Sequence, residues 1–395
     1  MSKIQTIDMY KEACSLQSRI SEFRRHIHSH PELSFQETRT GLYVAEKLEE
    51  AGISCRKEVG GAGVVAEIGK GDRVFAIRVD MDALPIKETN AVQYCSKNDG
   101  VMHACGHDAH TAMGLGAALL LKKTPPTTGR VRIVFQPAEE DTNHNGKSGA
   151  TLMMEDGAFD NVSGVLSLHV FPDLSSGSIA VRSGPVLAAC DKFEIKIKGR
   201  GSHGAYPEFG LDPVVMSAQI VQAIQTIVSR KNSALEPLVI TIGGIRSNTY
   251  APNIISDYVE LTGTVRHFYA HTRSMVKKEL EQVLGIATTL GGSFDFKYIE
   301  ENPPVSNDPG ITALVEETAL ALLGNDKIQA AEMQMGGDDF SFLSEKFPAC
   351  YFFLGAMLKE SPRKLHTETF DIDENCLPVG SAMLASTALN YLKRD

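Results

Sequence analysis

The sequence has no excess of positive charge. Its 39 lysines and arginines stand against 49 aspartates and glutamates, for a formal net charge of −10. That balance disfavours nucleic acid or an anionic membrane as the main partner. It also lacks a long apolar run. The longest stretch, Met113 to Leu121, is far too short to span a bilayer. Met1 to Tyr10 mixes charged and apolar residues without the apolar core of a secretory signal. There is no Cys-x-x-Cys pair, and the seven cysteines are scattered and odd in number. Such usage suits free thiols in a reducing cytoplasm better than a disulfide framework. No internal repeat or low-complexity linker divides the chain. What is there is ordinary globular material: 395 residues, 43% hydrophobic and 22% charged, enough for two or three domains.

The strand candidates come in two styles. Val74 to Ile77, Val131 to Phe135 and Val165 to Val170 are mostly apolar and lie between helix-like segments. Runs of that kind suit a central sheet covered on both faces, in an α/β arrangement with mostly parallel strands. In the middle of the chain, Phe193 to Lys198 alternates strictly between apolar and charged residues, and Val259 to Thr262 alternates too. Those are strands with one wet face. Between them, Asp212-Pro213 starts a helix, with Val214, Ala218, Val221, Ile224 and Val228 at helical spacing. The alternation predicts an inserted α+β domain with an antiparallel sheet over residues 187–300. Residues 1–186 and 301–395 then form one α/β domain. Further helices are expected over Ser15 to Arg25, Gly41 to Glu50, Thr111 to Lys122, Ile311 to Leu323 and Leu377 to Leu392.

Five short segments carry candidate chemistry. In His103-Ala104-Cys105-Gly106-His107-Asp108, a thiol and an imidazole two residues apart can face one metal from a turn, and Gly106 allows the backbone to fold tightly between them. Read alone, the segment fits a structural role better than a catalytic one, with Cys105 as a buried thiol. Gln136-Pro137-Ala138-Glu139-Glu140 follows a core strand. One carboxylate could bind metal while the other takes a proton from water, or the pair could be a solvated acidic loop. His169 and His366 each lie at or near the end of an apolar strand candidate. Arg78, Asp80 and Asp82 are two apart, so they share a strand face, and a carboxylate there could orient a metal ligand.

Together these residues resemble the N-acyl-amino-acid amidohydrolase branch of the aminoacylase and carboxypeptidase superfamily of two-metal peptidases. The resemblance rests on Arg24 to Leu33, Arg78 to Pro85, Met102 to Asp108, Phe135 to Glu140 and Leu168 to Val170. It continues through Gly201 to Ala205, Asp212-Pro213, Gly263 to Arg266, Gly337 to Phe340 and Leu365-His366. It implies that Cys105, His107, Glu140, His169 and His366 hold two divalent metals, with Zn²⁺ favoured and Mn²⁺, Co²⁺ or Ni²⁺ as alternatives. It implies Glu139 as general base; Asp80, on the spacing argument above, is added as a candidate catalytic carboxylate. His203 would stabilise the oxyanion across a dimer, and Asn253 and Arg266 would grip a substrate carboxylate. The insert would be a lid and dimerisation domain. The implied substrate is a small N-acyl amino acid or a dipeptide.

The chain departs from that branch at several positions. Asp338 stands where Glu is usual, Thr367-Glu368 where a small residue and Pro are common, Ser167 for Gly, and Gly201-Ser202-His203 for Gly-Gly-His. Arg78 stands where distant relatives carry a ligand His. The departures from the branch itself remove no ligand and bear on substrate preference more than on activity; against the distant relatives, a Cys-containing site makes up the ligand count. His144 could line the pocket but more simply is a solvated loop residue. His26, His28 and His30 read as structural or pocket-edge groups, and Cys190 as a buried thiol. Two other function classes remain: a thiol hydrolase using Cys105 with His107 or His110, and a silent binding protein on the same fold.

Overall fold

The computed structural model describes residues 3–359 and 363–394, with side chains from Asp8 onward. The chain divides into two compact units. The first comprises Met1–Val186, Ser306–Glu332 and Asp338–Asp395; the second comprises Leu187–Val305 and Met333–Gly337. Among the described residues, no helix is long and apolar enough to cross a membrane.

The first unit is built on an eight-stranded sheet. Its order is Cys55–Val59, Gly63–Lys70, Gly129–Gln136, Val74–Asp80, Val162–Ser175, Ala349–Met357, Ile179–Val181 and Ile328–Ala330. The four central strands run parallel; the pairings flanking them are antiparallel, and the edge strand Ile328–Ala330 pairs parallel with Ile179–Val181. The α/β class with a mostly parallel central sheet is therefore observed. Every residue of Val74–Asp80 is buried, as expected of a strand covered on both faces.

The helix His107–Lys123 has fourteen buried residues among its seventeen, so it is a core element rather than an amphipathic surface helix. Gly114 lets it approach the sheet: a Cβ there would lie 2.8 Å from Val79 and 3.0 Å from Phe135. The predicted helices appear as Gln17–His28, Thr38–Glu50, Pro309–Leu323 and Leu377–Lys393.

The second unit is a small α+β layer. Its sheet order is Leu238–Ser247, Tyr258–His267, Ala189–Lys198 and Ser293–Asn302, with every pairing antiparallel. Helices Pro213–Thr226 and Ala270–Thr289 pack on it through Met216, Ile220, Ile224, Val276, Leu280 and Leu284. Asp212 caps the first helix, accepting from the Val214 and Val215 amides. The apolar stripe of that helix differs only in part from the expected one: Ile224 is in the core and Val221 and Val228 pack against it as expected, but the first turns are rotated. Val214 is 48% exposed and Ala218 is exposed, while Met216, Ile220 and Ile224 face the core. Apolar residues occur almost all round this helix, so spacing alone could not select the buried face, and sheet contact did.

Candidate metal centre

The five expected ligands come together. Gly106 adopts φ +95°, and a Cβ there would meet the Val170 side chain at 2.4 Å. Only glycine fits this close, left-handed turn. It separates Cys105 from His107, the first residue of the helix His107–Lys123. Cys105 Sγ lies 3.3 Å from His169 Nε2 and 3.3 Å from His366 Nε2. His366 Nε2 is 3.4 Å from Glu140 Oε1, and His107 Nε2 is 3.9 Å from the same oxygen. The backbone contributes to this convergence. The His366 amide donates to Ala104 O at 2.8 Å, and His366 and Ala138 both have positive φ.

Hydrogen bonds choose which ring nitrogen faces the centre. His107 Nδ1 contacts Asp82 Oδ1 at 3.0 Å and His169 Nδ1 contacts Val170 O at 2.7 Å. With those Nδ1 protons donated outward, both Nε2 lone pairs point inward, as metal ligation requires. Burial first, then the neighbouring His110 and His107, holds His169 well below the usual histidine range, hence neutral. Burial opposes protonation of His107, but Asp80, Asp82 and Glu140 outweigh it and raise it to about 10. A site that draws a proton this strongly is one where anionic groups favour a positive charge, which a metal ion can supply.

The donor set fits divalent metal ions. It combines one sulfur, three imidazole nitrogens and a carboxylate whose Oε1 is buried without a hydrogen-bond partner among the described residues. Two groups of possible ligands, Cys105 with His107 and His169, and Cys105 with Glu140 and His366, share the thiol. Burial, with Glu140 and Glu139 nearby, pushes the Cys105 thiol well up, so without a cation it is a poor nucleophile.

Glu139 sits with Asp338 and Asp339, their carboxylate oxygens within 4.8 Å of one another. Burial first, then Asp338, Glu140 and Asp339, raises its proton affinity well above that of a free carboxylate. Asp338 itself is fully used despite its shorter side chain. It accepts from Tyr351 Oη at 2.8 Å and from the Phe340 amide at 2.7 Å, and lies 3.2 Å from Arg78 Nη2.

Asp80 is not the residue that orients a ligand. It binds His110 Nδ1 at 2.6 Å and Arg78 Nη1 at 2.7 Å, and stays 4.0 Å from His107 Nε2. Burial opposes its charge, but His107, His110 and Arg78 hold it well below the usual range. The orienting role falls to Asp82, which also accepts from the Glu140 amide at 2.9 Å and Ser34 Oγ at 2.7 Å. The Asp-x-Asp spacing pointed to this pair, but nothing in the sequence distinguished its members.

His110 is occupied at both nitrogens, since its Nε2 accepts from the Val170 amide at 2.9 Å. His28 is buried between Asp108 at 2.8 Å and Glu88 at 3.2 Å. Asp108 also binds Arg24, so this network holds the start of the helix that carries His107. His144 is exposed.

In the second unit, His203 and Asn253 are brought together. The short strand Ser202–His203 pairs with Ile254–Ile255, and the Gly204 amide donates to Asn253 O at 2.8 Å. Both residues are exposed. His203 Nδ1 accepts from the Ala205 amide at 3.1 Å, which leaves Nε2 as the donor. Arg266 lies on the four-stranded sheet, directly opposite Cys190. Cys190 is half-buried rather than buried.

The comparisons with known proteins are consistent with one another. A family model described as peptidase family M20/M25/M40 matches residues 76–390. An N-acetylcysteine deacetylase of Bacillus subtilis is 39% identical over 381 residues, covering 95% of this chain and 97% of its own. A thermostable carboxypeptidase of Saccharolobus solfataricus is 38% identical, covering 94% and 95%. A solved Bacillus subtilis structure, described as a dinuclear metal binding peptidase from the M20 family, superposes with TM-score 0.84 at 36% identity, covering 96% and 99%.

Proposed function

Because this chain belongs to peptidase family M20/M25/M40 and is a metal-dependent amidohydrolase or peptidase of that kind, we propose that it hydrolyses the amide bond of N-acyl-L-amino acids. The observation that carries this reading is the convergence of five donors, with the Cys105 thiol shared between two groups and Glu139 beside them. Cys105, His107, Glu140, His169 and His366 would hold two divalent ions. Sulfur, nitrogen and oxygen donors together suit Zn²⁺, with Mn²⁺, Co²⁺ or Ni²⁺ able to use the same set. Bound there, the ions would supply Lewis acidity, lowering the pKa of water and stabilising developing negative charge.

The chain's own residues do the rest. Glu139 takes a proton from the attacking water and delivers it to the leaving amine, so that acid and amine leave in balance. Its raised proton affinity suits a group that must hold the proton between those two events. His203 donates from Nε2 to the oxygen of the tetrahedral species. Asn253 and Arg266 bind the substrate carboxylate, the guanidinium in a two-pronged fashion. The second unit acts as a lid, and a homodimer formed through it supports the substrate side of the reaction.

Chelation followed by reloading with each of the four metals, with turnover measured on matched N-acetyl, N-benzoyl and indole-acetyl amino acids and dipeptides, tests this. Loss and metal-dependent return of acyl-amino-acid hydrolysis is expected. Faster turnover of dipeptides would reassign the enzyme to peptide cleavage, the competing use of this site. Full activity with both metals removed would sink the proposal.

A further inference from the structure

Cys190 occupies an unusual place. On the strand Ala189–Lys198 it belongs to the accessible face, in phase with the exposed Lys192 and Glu194 rather than with the buried Phe193, Ile195 and Ile197. Core packing therefore does not explain a thiol here. The residue directly opposite on Tyr258–His267 is Arg266, and Arg266 Nη1 donates to Cys190 Sγ. Opposed residues of antiparallel strands have Cβ atoms about 4.5–5.5 Å apart, so the register itself puts the two side chains within reach of each other.

Arg266 is otherwise uncommitted. Among the described residues, the acidic group acting on it is Glu301, which is itself paired with Lys192 at 2.6 Å. Burial disfavours its charge more than Glu301 favours it, so an arriving anion would offset the remaining cost. The backbone confines it further. A Cβ on Gly337 would lie 3.1 Å from Cys190 Sγ and 3.5 Å from Arg266 Nη1. The segment is pinned, because the Ala188 amide donates to both Gln334 O and Gly336 O at 3.0 Å.

We propose that Cys190 is a positioning residue for substrate recognition, its sulfur fixing one edge of the Arg266 guanidinium against Gly337 while leaving the fork free for a carboxylate. The choice of atom matters. Sulfur is a weak, uncharged acceptor, so it orients the guanidinium without neutralising it. A carboxylate at 190 would occupy the fork and compete with substrate. This inference rests on the assignment of Arg266 to the substrate carboxylate.

The test uses zinc-loaded enzyme and two readouts. The first needs no substrate. Iodoacetamide alkylation of Cys190 at pH 8, followed by peptide mass spectrometry, is expected to slow several-fold in Arg266→Met, because the reagent takes the minor thiolate fraction of a largely protonated thiol and a neighbouring guanidinium enlarges that fraction. An unchanged rate would show that the two groups do not interact. The second is a double-mutant cycle on N-acetyl-L-methionine hydrolysis. Cys190→Ala should raise KM about fivefold with kcat nearly unchanged, Cys190→Ser should recover much of it, and the effect should vanish in an Arg266→Ala background. If Arg266→Ala raises KM but Cys190→Ala multiplies it equally in both backgrounds, the positioning role is wrong and the carboxylate assignment stands. If Arg266→Ala leaves KM unchanged, the carboxylate assignment itself fails, and the positioning role with it.

Discussion

Strand Val74–Asp80 in the first unit is buried at all seven positions, whereas Ala189–Lys198 in the second alternates between buried and accessible ones. The difference carries through to the charged groups. In the first unit Arg78, Asp80, Asp82, His107 and Asp108 are all buried, so each must be partnered and each perturbs its neighbours strongly. In the second unit His203 and Asn253 are exposed, and Arg266 keeps one neutral partner. A buried polar network can hold metal ligands to a fixed geometry, because moving one member strands another. An open, wet face can wait for a ligand, because water satisfies it until one arrives. On this comparison, changes in the first unit should act through metal and chemistry, and changes in the second through substrate and transition state.

The largest break is expected at Glu139. Glu139→Gln should lower turnover by roughly 10²–10⁴-fold while metal content, measured by atomic emission, stays the same. Loss of metal in that variant would mean Glu139 is a ligand rather than the base. In the second unit, His203→Ala should lower kcat by about 10²–10³-fold with metal content and melting temperature unchanged. Should it release metal instead, the division between the units would be wrong. A smaller effect separates two buried carboxylates. Asp82→Ala should weaken metal affinity by roughly 10–100-fold, since Asp82 sets the His107 ring and holds the Glu140 amide. Asp191 in the second unit is also buried and binds Arg273, His267 and Tyr298. Its replacement by Ala should destabilise that unit and leave metal affinity intact, as titration with a competing chelator would reveal.

The smallest effect is a pH dependence confined to the first unit. Burial opposes protonation of His28, but Asp108 and Glu88 outweigh it and raise it from 6.5 to about 9. The folded state thus binds a proton that the unfolded chain releases. The resulting stabilisation is complete below pH 6.5 and is lost as pH rises through 9, with an upper limit of roughly 3 kcal/mol. Thermal unfolding across that window should show the decline, and His28→Asn should flatten it. An equally steep decline in the variant would place its origin elsewhere.

Much of this was legible in the residue pattern. Apolar runs at Val74, Val131 and Val165 marked the core strands, and strict alternation at Phe193 marked the one-sided sheet. The edge strand Cys55–Val59 and its inner neighbour Gly63–Lys70 are not marked in the residue pattern, because the first is largely exposed and charged and the second carries two glycines. The helix Ala270–Thr289 was also missed: its core-facing Val276, Leu280 and Leu284 are diluted by lysines and glutamates on the other side. In the site, residue types and family order point to the groups that converge around Cys105, but they favour Asp80 as the assisting carboxylate where Asp82 contacts His107. Both lie on one strand face two residues apart, and only the packed helix His107–Lys123 decides which of them each histidine meets.

The sequence by itself determined which atoms are available: one soft thiol, several imidazoles, a carboxylate pair after a core strand and a glycine that permits the turn. Side-chain chemistry is local, so it survives without a fold. Tertiary structure decided where those atoms point. Cys105 and His366 are 261 residues apart, yet their ligand atoms meet at 3.3 Å because the His366 amide is tied to Ala104. His107 and His169 present Nε2 rather than Nδ1 because Asp82 and the Val170 carbonyl engage the other nitrogen. Such choices depend on groups distant in the chain, brought within hydrogen-bond range only when the sheet and its helices pack.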